Sequence, residues 1–320
     1  MTTFTYRSAI MSYLLEKGQW RDWQITSVIV HKGNRKETEW HEGGEDAIGP
    51  LYSCTKSVLS ALIGIAVDRG DLPGVDEPID RWFQRYAAGG GDDSWGQITI
   101  KQLLTMTPGF EWPDFDKPYW ELRKSRDPVA YALNQPLVHL PGHAFTYNSG
   151  GSHLLSAILT EATGKSALQY AREHLFEPLG FRAAKWSERG GISEGGTGLA
   201  LTGNDLVKFG VLYLKEGLWD GKRILSTSWI SDSTTMHHRA LLHYEPPIYG
   251  GFGYHWWCTP SNHNGVADGY FAFGHGGQYL MIVPELDTVI MVRKRITKRN
   301  EAIWSRKLIF DIILPGLLRT

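Results

Sequence analysis

The sequence predicts an α/β fold, an α+β sandwich in which an antiparallel sheet built from both chain ends is flanked by helices. Strand-like runs occur near the two ends of the 320-residue chain, whereas helical periodicity dominates its middle. A sheet must bury its apolar face against another layer, and the intervening helices are free to form an insertion. We therefore expect one domain over 1–320, with an α/β subdomain from 1–70 and 200–320 and an inserted all-α subdomain over about 71–199.

The first predicted elements are an N-terminal helix and a β-hairpin. Apolar residues of the N-terminal segment recur at helical spacing, as in an amphipathic helix: Tyr6, Ile10, Tyr13 and Leu14. A β-branched run over 25–30 and a second run over 36–40 flank the turn Lys32-Gly33-Asn34-Arg35. Two such runs around a short glycine-containing turn predict a hairpin.

A helix that is apolar on nearly all sides is predicted after Ser53. The residues from Val58 to Val67 are almost all apolar, and the pattern stops before Gly70. A helix of this kind is buried rather than laid on a surface, and glycine is the preferred residue just past a helix end. Ser53 lies at the predicted start, where backbone N–H groups lack partners.

The remaining elements are predicted from helix-capping residues and from glycines that mark helix ends and loops. Thr99 is expected to cap a short helix that runs to Met106, and Thr202 to cap a helix that runs to Leu214. An amphipathic helix over 154–159 ends at Gly164, and the glycine-rich stretches 89–91 and 190–198 predict loops. Runs over 279–283 and 288–292 predict a second hairpin, and apolar residues over 303–312 predict a closing helix.

Ser53 and Lys56 are three residues apart, which places both side chains on one face of the predicted helix. A serine hydroxyl is a weak nucleophile until a neighbouring base takes its proton, and a desolvated lysine can serve as that base. The alternative is that Ser53 only caps the helix and that Lys56 is solvated. A lysine seldom begins a wholly apolar helix without a reason, so we prefer the catalytic interpretation.

Two other stretches are candidates to complete a site with Ser53. Tyr147 lies in a polar turn ahead of a helix, where it could act as a base or proton shuttle if a nearby ammonium lowered its phenol pKa. The alternative is a tyrosine that merely packs on that helix. His275 lies in a glycine-rich segment that leads into a strand, where glycines such as Gly277 let a ligand approach the strand edge. The alternative there is a surface histidine in an ordinary loop.

Taken together, these motifs resemble the serine β-lactamase and penicillin-binding-protein superfamily, in particular class C β-lactamases and the related esterases and D-amino-acid amidases. Ser53-Cys54-Thr55-Lys56 matches the S-x-x-K motif of that family, and Tyr147-Asn148-Ser149 falls at its Y-x-N motif. His275-Gly276-Gly277 falls at its K/H-x-G motif. The resemblance extends from about 25 to 292 with the motifs in order, and it implies an α/β sandwich with an all-α subdomain.

The resemblance also implies a role for each residue. Ser53 would attack a carbonyl, and Lys56 and Tyr147 would pass its proton toward the leaving group. Tyr147 would later activate the hydrolytic water. The backbone N–H groups of Ser53 and Gln278 would form the oxyanion hole, and His275 would contact Tyr147 or a substrate carboxylate.

Two positions depart from the commonest family residues. Ser149 stands where the family often has an asparagine that holds a substrate amide, and Asn148 next to it would point away if the segment were strand-like. His275 stands where the family often has a lysine, so the motif no longer guarantees a fixed positive charge near neutral pH. Both departures weaken the case for efficient penicillin hydrolysis.

Composition narrows the function further. The net charge is −1 and basic residues are not clustered in a long block, so we expect no nucleic-acid partner. We expect no cofactor and no metal site, because Cys54 and Cys258 form no ligand pattern and His237, His238 and His243 lack partners of the usual spacing. With no signal peptide or bilayer-spanning run recognised, we expect a cytoplasmic protein that acts on a small molecule away from membranes. The oligomeric state is left open.

Other interpretations are weaker. The stretch 191–195 fits G-x-S-x-G, but it lacks the strand before it and the apolar helix after it that a nucleophile elbow requires. The leading hypothesis is a serine hydrolase that cleaves a small ester, amide or lactam through an acyl-enzyme on Ser53. The alternatives are a true β-lactamase or D-stereospecific peptidase, and, from another class, a non-catalytic ligand-binding or sensor module. Trp112, Trp120, Trp256 and Trp257 are candidate pocket walls or core residues.

Overall fold

A computed structural model describes residues 22–87, 94–113, 116–240, 250–297 and 302–318. The predicted N-terminal amphipathic helix with Tyr6 and Leu14, and the predicted loop over 89–91, lie outside the described residues.

Helices fill the middle of the chain and also cover the sheet. Their bounds are α1 Thr55–Asp68, α2 Asp80–Ala87, α3 Ile100–Leu104, α4 Tyr119–Lys124, α5 Pro128–Leu133, α6 Ser149–Thr163, α7 Ala167–Ala171, α8 Gly203–Leu214, α9 Thr227–Thr234, α10 Ser261–Asn264, α11 Ile303–Lys307 and α12 Leu314–Leu317. A stretch of π-helix over Leu308–Ile313 joins the last two.

Strands cluster toward the two chain ends, with shorter ones between. Their bounds are β1 Ile25–Lys32, β2 Arg35–His41, β3 Gly49–Pro50, β4 Ala184–Trp186, β5 Glu188–Arg189, β6 Ile192–Ser193, β7 Leu199–Leu201, β8 Leu218–Trp219, β9 Lys222–Arg223, β10 His238–Arg239, β11 Gly251–Phe252, β12 Trp257–Thr259, β13 Gly269–Gly274, β14 Gln278–Val283 and β15 Thr288–Lys294.

The main sheet joins the two ends of the chain, as the sequence predicts. Its eight strands follow the order β10-β11-β12-β13-β14-β15-β1-β2, and each neighbouring pair is antiparallel. The N-terminal β1 pairs with the C-terminal β15, with Val28 opposite Val292. Both predicted hairpins are confirmed, β1–β2 around Gly33 and β14–β15 around the turn before Asp287.

The two faces of the sheet bury different helices because successive side chains on a strand point to opposite sides. On β1, Ile29 belongs to the apolar cluster that includes Phe209 of α8. Its neighbours Val28 and Val30 belong to a second cluster that includes Ile309 of the C-terminal helical segment. The sheet is thus covered on both sides, which is the sandwich that the sequence predicts.

Local capping signals predict the helix starts correctly. Thr99 and Gln102 form a reciprocal capping box at α3, and the Thr202 hydroxyl accepts from the backbone N–H of Asp205 at α8. Gly164 closes α6 in the left-handed conformation. Each of these helices begins or ends within two residues of its predicted boundary.

The segment between 71 and 199 is mainly helical, but it is not all-α. It contains the short strands β4, β5 and β6, and β7 begins at its end. β7 pairs with β3, so the chain just before Ser53 is hydrogen-bonded to the end of this segment. Within the described residues, helices are too short or too polar to cross a lipid bilayer.

Candidate active site

Ser53 lies in a tight turn that ends β3 and begins the buried helix α1. Tyr52 just before it has a φ of 50°, a value that non-glycine residues adopt only where the surrounding structure enforces it. Tyr52–Cys54 form one turn of 3₁₀ helix, and Cys54 rather than Ser53 is the N-cap of α1. The Ser53 hydroxyl makes no capping bond to α1, so the capping interpretation of Ser53 is wrong.

Lys56 points from the first turn of α1 into a buried polar cluster. Its side chain is 2% exposed, and its Nζ lies 3.2 Å from Ser53 Oγ, 2.9 Å from Ser149 Oγ and 2.8 Å from the carbonyl oxygen of Gly196. The solvated alternative for Lys56 is therefore wrong. Burial lowers the pKa of Lys56 to about 8, while the nearby Asp116 carboxylate opposes that shift.

Tyr147 is buried beside Ser53 and Lys56. Its ring lies 4.9 Å from Lys56 Nζ and stacks on Trp257 at 5.8 Å, and its phenol is hydrogen-bonded to the Ser53 side chain. The condition under which Tyr147 could act as a base, a phenol pKa lowered by a nearby ammonium, is not met: burial, reinforced by the charge of Asp116, raises the pKa of Tyr147. Tyr147 is thus a neutral phenol at neutral pH and can donate a proton.

Ser149 and Asn148 form the start of α6 and have different surroundings. Asn148 is the N-cap, and its Oδ1 accepts from the backbone N–H of Gly151 at 2.8 Å. Ser149 follows with its hydroxyl directed at Lys56. The change from extended chain to helix at Asn148 turns its side chain back on the helix, while the Ser149 side chain faces Lys56 and Asp116.

Sequence reasoning misses Asp116. Its Oδ2 accepts from Ser149 Oγ at 2.5 Å, and its Oδ1 accepts from the backbone N–H of Ser149 at 2.8 Å and from Trp112 Nε1 at 2.7 Å. Burial raises the pKa of Asp116, and the Lys56 ammonium together with the three donors opposes that rise. The available sequence signal is weak, an acidic residue within an aromatic and proline-containing stretch.

Gly196 is a second residue that sequence reasoning misses, because its part in the site is a backbone carbonyl. The stretch 190–198 is predicted as a flexible loop, yet residues 193–196 are buried against the start of α6. A Cβ on Gly196 would lie 2.7 Å from Ser149 Cβ and 3.4 Å from Lys56 Nζ. Only glycine therefore lets this backbone approach the lysine.

The third motif, His275-Gly276-Gly277, and the start of β14 after it lie close to the segment that carries Ser53. A Cβ on Gly274 would lie 2.3 Å from the carbonyl oxygen of Leu51, and Cys54 Sγ is 3.6 Å from the carbonyl oxygen of Gln278. The Gln278 side chain turns away, donating from Nε2 to the Lys294 carbonyl at 2.7 Å. Gln278 thus presents its main chain to the site.

His275 and Gly277 belong to the turn that precedes β14. Gly277 has a φ of 101°, which requires glycine, and a Cβ there would lie 2.7 Å from Ser305 Oγ. His275 is exposed at the rim, and its ring makes an edge contact with Tyr52 at 6.0 Å. Gly277 therefore shapes the turn, whereas His275 contacts Tyr52, the residue just before Ser53.

Most of the remaining candidates from the sequence are packing residues rather than parts of the site. Burial raises the pKa of Cys54 to about 12, which fits its interpretation as a packing residue. Ser193 of the G-x-S-x-G stretch is a buried residue of β6. His237 stacks on Tyr254 at 4.6 Å, and His243 lies outside the described residues. Of the four tryptophans, Trp112 and Trp257 contact site residues, Trp256 is core and Trp120 is exposed.

The arrangement has the parts of an acyl-transfer site. The half-buried hydroxyl of Ser53 lies between an amine whose pKa burial lowers to about 8 and a protonated phenol. A group that can accept a proton and a group that can donate one thus flank a single hydroxyl, an arrangement suited to nucleophilic catalysis at a carbonyl.

The fold and this cluster define a serine hydrolase of the β-lactamase and penicillin-binding-protein superfamily. The family model described as Beta-lactamase matches residues 26–304, so the chain belongs to that family.

Individual relatives are distant but extend over most of the chain. The 6-aminohexanoate-dimer hydrolase of Paenarthrobacter ureafaciens is 24% identical over 82% of this chain and 70% of its own length. A Bacillus anthracis structure provisionally assigned as a 6-aminohexanoate-dimer hydrolase is similar with a TM-score of 0.77 and 21% identity, over 95% of this chain and 82% of that one. The structure of EstCE1, a hydrolase with promiscuous acyltransferase activity, gives a TM-score of 0.72 at 15% identity, over 95% and 97% of the two chains.

Proposed function

We propose that this enzyme hydrolyses a small amide, ester or lactam through an acyl-enzyme on Ser53. The observation that carries the proposal is the position of the Ser53 hydroxyl, 3.2 Å from Lys56 Nζ and hydrogen-bonded to the phenol of Tyr147. A serine flanked by both an amine and a phenol has a proton acceptor for attack and a proton donor for departure.

In acylation, the neutral amine of Lys56 takes the hydroxyl proton as Ser53 Oγ forms a bond to the carbonyl carbon. The carbonyl oxygen becomes an oxyanion that the backbone N–H groups of Ser53 and Gln278 stabilise. As the bond to the leaving group breaks, that group takes the proton of the Tyr147 phenol. The Lys56 ammonium then returns a proton to Tyr147, so that both groups are neutral again.

Deacylation reverses these roles with water in place of the leaving group. The neutral amine of Lys56, or the Tyr147 phenolate next to the ammonium, takes a proton from water as its oxygen attacks the acyl carbon. The bond to Ser53 Oγ breaks, and Ser53 recovers its proton from the ammonium. A carboxylic acid leaves, and the enzyme returns to its starting protonation state.

The substrate class favoured is a linear amide. The relative that supports it, 24% identical over 82% of this chain, is named for the hydrolysis of the 6-aminohexanoate dimer, which contains one amide bond between two flexible chains. Ester cleavage is easier chemistry for the same site and is expected to accompany it. Ser149 and His275 in place of the commoner asparagine and lysine make a dedicated β-lactamase or D-stereospecific peptidase the weaker candidate.

A non-catalytic binding or sensor module is the alternative from another class. A module of that kind needs a pocket but has no need of a buried lysine and a buried phenol on the same hydroxyl. The retention of Ser53, Lys56 and Tyr147 in contact supports an enzyme. A cytoplasmic location stays a prediction, which cell fractionation tests.

The experiment is a substrate panel consisting of a p-nitrophenyl acyl ester, the linear 6-aminohexanoate dimer and a chromogenic cephalosporin. We expect turnover of the ester and an amide, little turnover of the cephalosporin, and none with Ser53→Ala. Ser60→Ala is the matched control, because Ser60 is buried in the same helix and its hydroxyl has no hydrogen-bond partner among the described residues. Equal activity of Ser53→Ala and the control would overturn the proposal.

A further inference from the structure

Among the residues that the structure describes, Lys56 has three hydrogen-bond partners, and they differ in whether they can donate a hydrogen bond. The carbonyl oxygen of Gly196 can only accept a hydrogen bond, whereas the hydroxyls of Ser53 and Ser149 can either donate or accept. A neutral amine carries two N–H groups and one lone pair. The direction of the Ser149 hydroxyl hydrogen therefore decides whether the lone pair of Lys56 faces Ser53 or Ser149.

Asp116 determines that direction. The Ser149 hydroxyl donates to Asp116 Oδ2 at 2.5 Å, which leaves its oxygen free only to accept from Lys56. With Gly196 and Ser149 both acceptors, the two N–H groups of neutral Lys56 are used, and its lone pair is directed at the hydroxyl of Ser53. We propose that Asp116 is a positioning residue, which aims the Lys56 base at the nucleophile by holding the Ser149 hydroxyl as an acceptor. This inference rests on the proposed acyl-enzyme function.

The carboxylate is itself held in one orientation. Its Oδ1 accepts from the backbone N–H of Ser149 and from Trp112 Nε1, and Oδ2 is directed at the Ser149 hydroxyl. All three partners are donors, so the ionised form satisfies every bond. Asp116 also has a φ of 75°, an uncommon conformation for a non-glycine residue that the three bonds maintain.

The substitution Asp116→Asn separates this role from packing. Oδ1 must stay an oxygen because two N–H groups donate to it, so the amide nitrogen takes the place of Oδ2 and donates to Ser149 Oγ. The hydrogen bond to Ser149 is thus reversed, and the freed hydroxyl hydrogen can point at the lone pair of Lys56. The shape of the side chain is unchanged.

Asp116→Asn is expected to change both the acylation rate at high pH and the pH at which that rate rises. The rate of Ser53 acylation at high pH, where Lys56 is neutral, falls about tenfold or more because the base is directed away from the nucleophile. The rising limb of the pH profile moves to lower pH by about one unit, because the negative charge that favours the Lys56 ammonium is gone. Within the described part of the chain, the other titratable groups that face Lys56 are Cys54, Tyr147 and His255. These stay neutral through this range, because burial raises the pKa values of Cys54 and Tyr147 and lowers that of His255 to about 3.

The test is a double-mutant cycle on the full-length enzyme, measured by the rate at which a p-nitrophenyl alkylphosphonate modifies Ser53. In that reaction Ser53 Oγ forms a bond to phosphorus, p-nitrophenolate leaves, and Lys56 takes the serine proton. We expect Asp116→Asn to slow the high-pH rate in the wild-type enzyme but not in the Ser149→Ala background, where no hydroxyl remains to be directed. Asp127→Asn, an exposed carboxylate that caps α5, is the matched control.

The proposal is overturned if Asp116→Asn keeps the wild-type high-pH rate, or if it slows Ser149→Ala as much as it slows the wild type. If Asp116→Asn fails to fold, Asp116→Ala serves instead, since it too frees the Ser149 hydrogen. If the wild-type enzyme is phosphonylated on Ser53 and the Asp116 variants react at the same rate, the positioning role of Asp116 is contradicted and the proposed function stays intact. Absence of phosphonylation in the wild type contradicts the proposed function instead.

Discussion

The amine of Lys56 lies 2.8 Å from the backbone carbonyl of Gly196, a contact between the first turn of the buried helix α1 and a glycine-rich stretch 140 residues later in the chain. The carbonyl fixes one N–H of the lysine without adding a side chain to the site. Because it cannot donate, it also restricts which groups the lysine lone pair can face.

Gly196→Ala tests this approach. The new Cβ would lie 2.7 Å from Ser149 Cβ and 2.8 Å from Ser149 Oγ, closer than real Cβ contacts allow. Either Ser149 or the backbone of residue 196 must therefore shift, and both contact Lys56. We expect kcat/KM for the ester to fall about a hundredfold, the order typical of a misplacement of about 1 Å in an active site. Gly96→Ala is the control, because its Cβ would meet Asp80 at an ordinary 3.4 Å. Similar rates for the two variants would contradict a tight fit at Gly196.

The pH dependence follows from the pKa of Lys56, which burial lowers to about 8. The base must be neutral, so activity is lost as pH falls through that value and the lysine becomes protonated. We expect the acylation rate to rise about tenfold per pH unit below the pKa and to level off above it. Stopped-flow rates with a p-nitrophenyl ester between pH 5 and 10 measure this limb. A rate that is flat from pH 6 to 9 would exclude Lys56 as the base.

Tyr147→Phe removes the phenol hydroxyl and keeps the stacking on Trp257. Without the proton donor, we expect acylation by an amide to fall by about 10²–10⁴-fold, while the thermal midpoint changes little. An activated ester has a leaving group that needs no proton, so its rate should fall less. Tyr254→Phe, another buried tyrosine, is the control. Near-wild-type amide hydrolysis would remove Tyr147 from the mechanism.

Asn148→Ala separates capping from substrate binding. Asn148 Oδ1 accepts from the backbone N–H of Gly151 at the start of α6, so its loss should lower the free energy of unfolding by about 1 kcal/mol. Urea unfolding measures this change. Because Ser149 rather than Asn148 faces Lys56, we expect KM to stay within about twofold of wild type. A large rise in KM with unchanged stability would instead place Asn148 in substrate binding.

Much of this fold follows from local pattern. Hairpins such as β14–β15, the caps Thr99 and Thr202, and the apolar helix α1 each have a signal within a few residues, and the structure confirms them. The pair Ser53 and Lys56 is predictable for the same reason, since residues three apart share a helix face.

The rest of the site depends on contacts that no local pattern encodes. Asp116 approaches Ser149 through a turn whose backbone conformation is uncommon, and Gly196 contributes only a carbonyl. A neighbouring ammonium on its own would lower the phenol pKa of Tyr147, but burial and the charge of Asp116 raise it. Burial and distant charges can be assessed only once the chain is folded.

The most direct test of the account is the intact mass of the protein after reaction with the p-nitrophenyl alkylphosphonate, followed by peptide mapping. We predict one adduct per chain on the peptide that contains Ser53, present in Ser60→Ala and absent in Ser53→Ala. An adduct that persists in Ser53→Ala, or that maps to another residue, would contradict the assignment of Ser53 as the nucleophile.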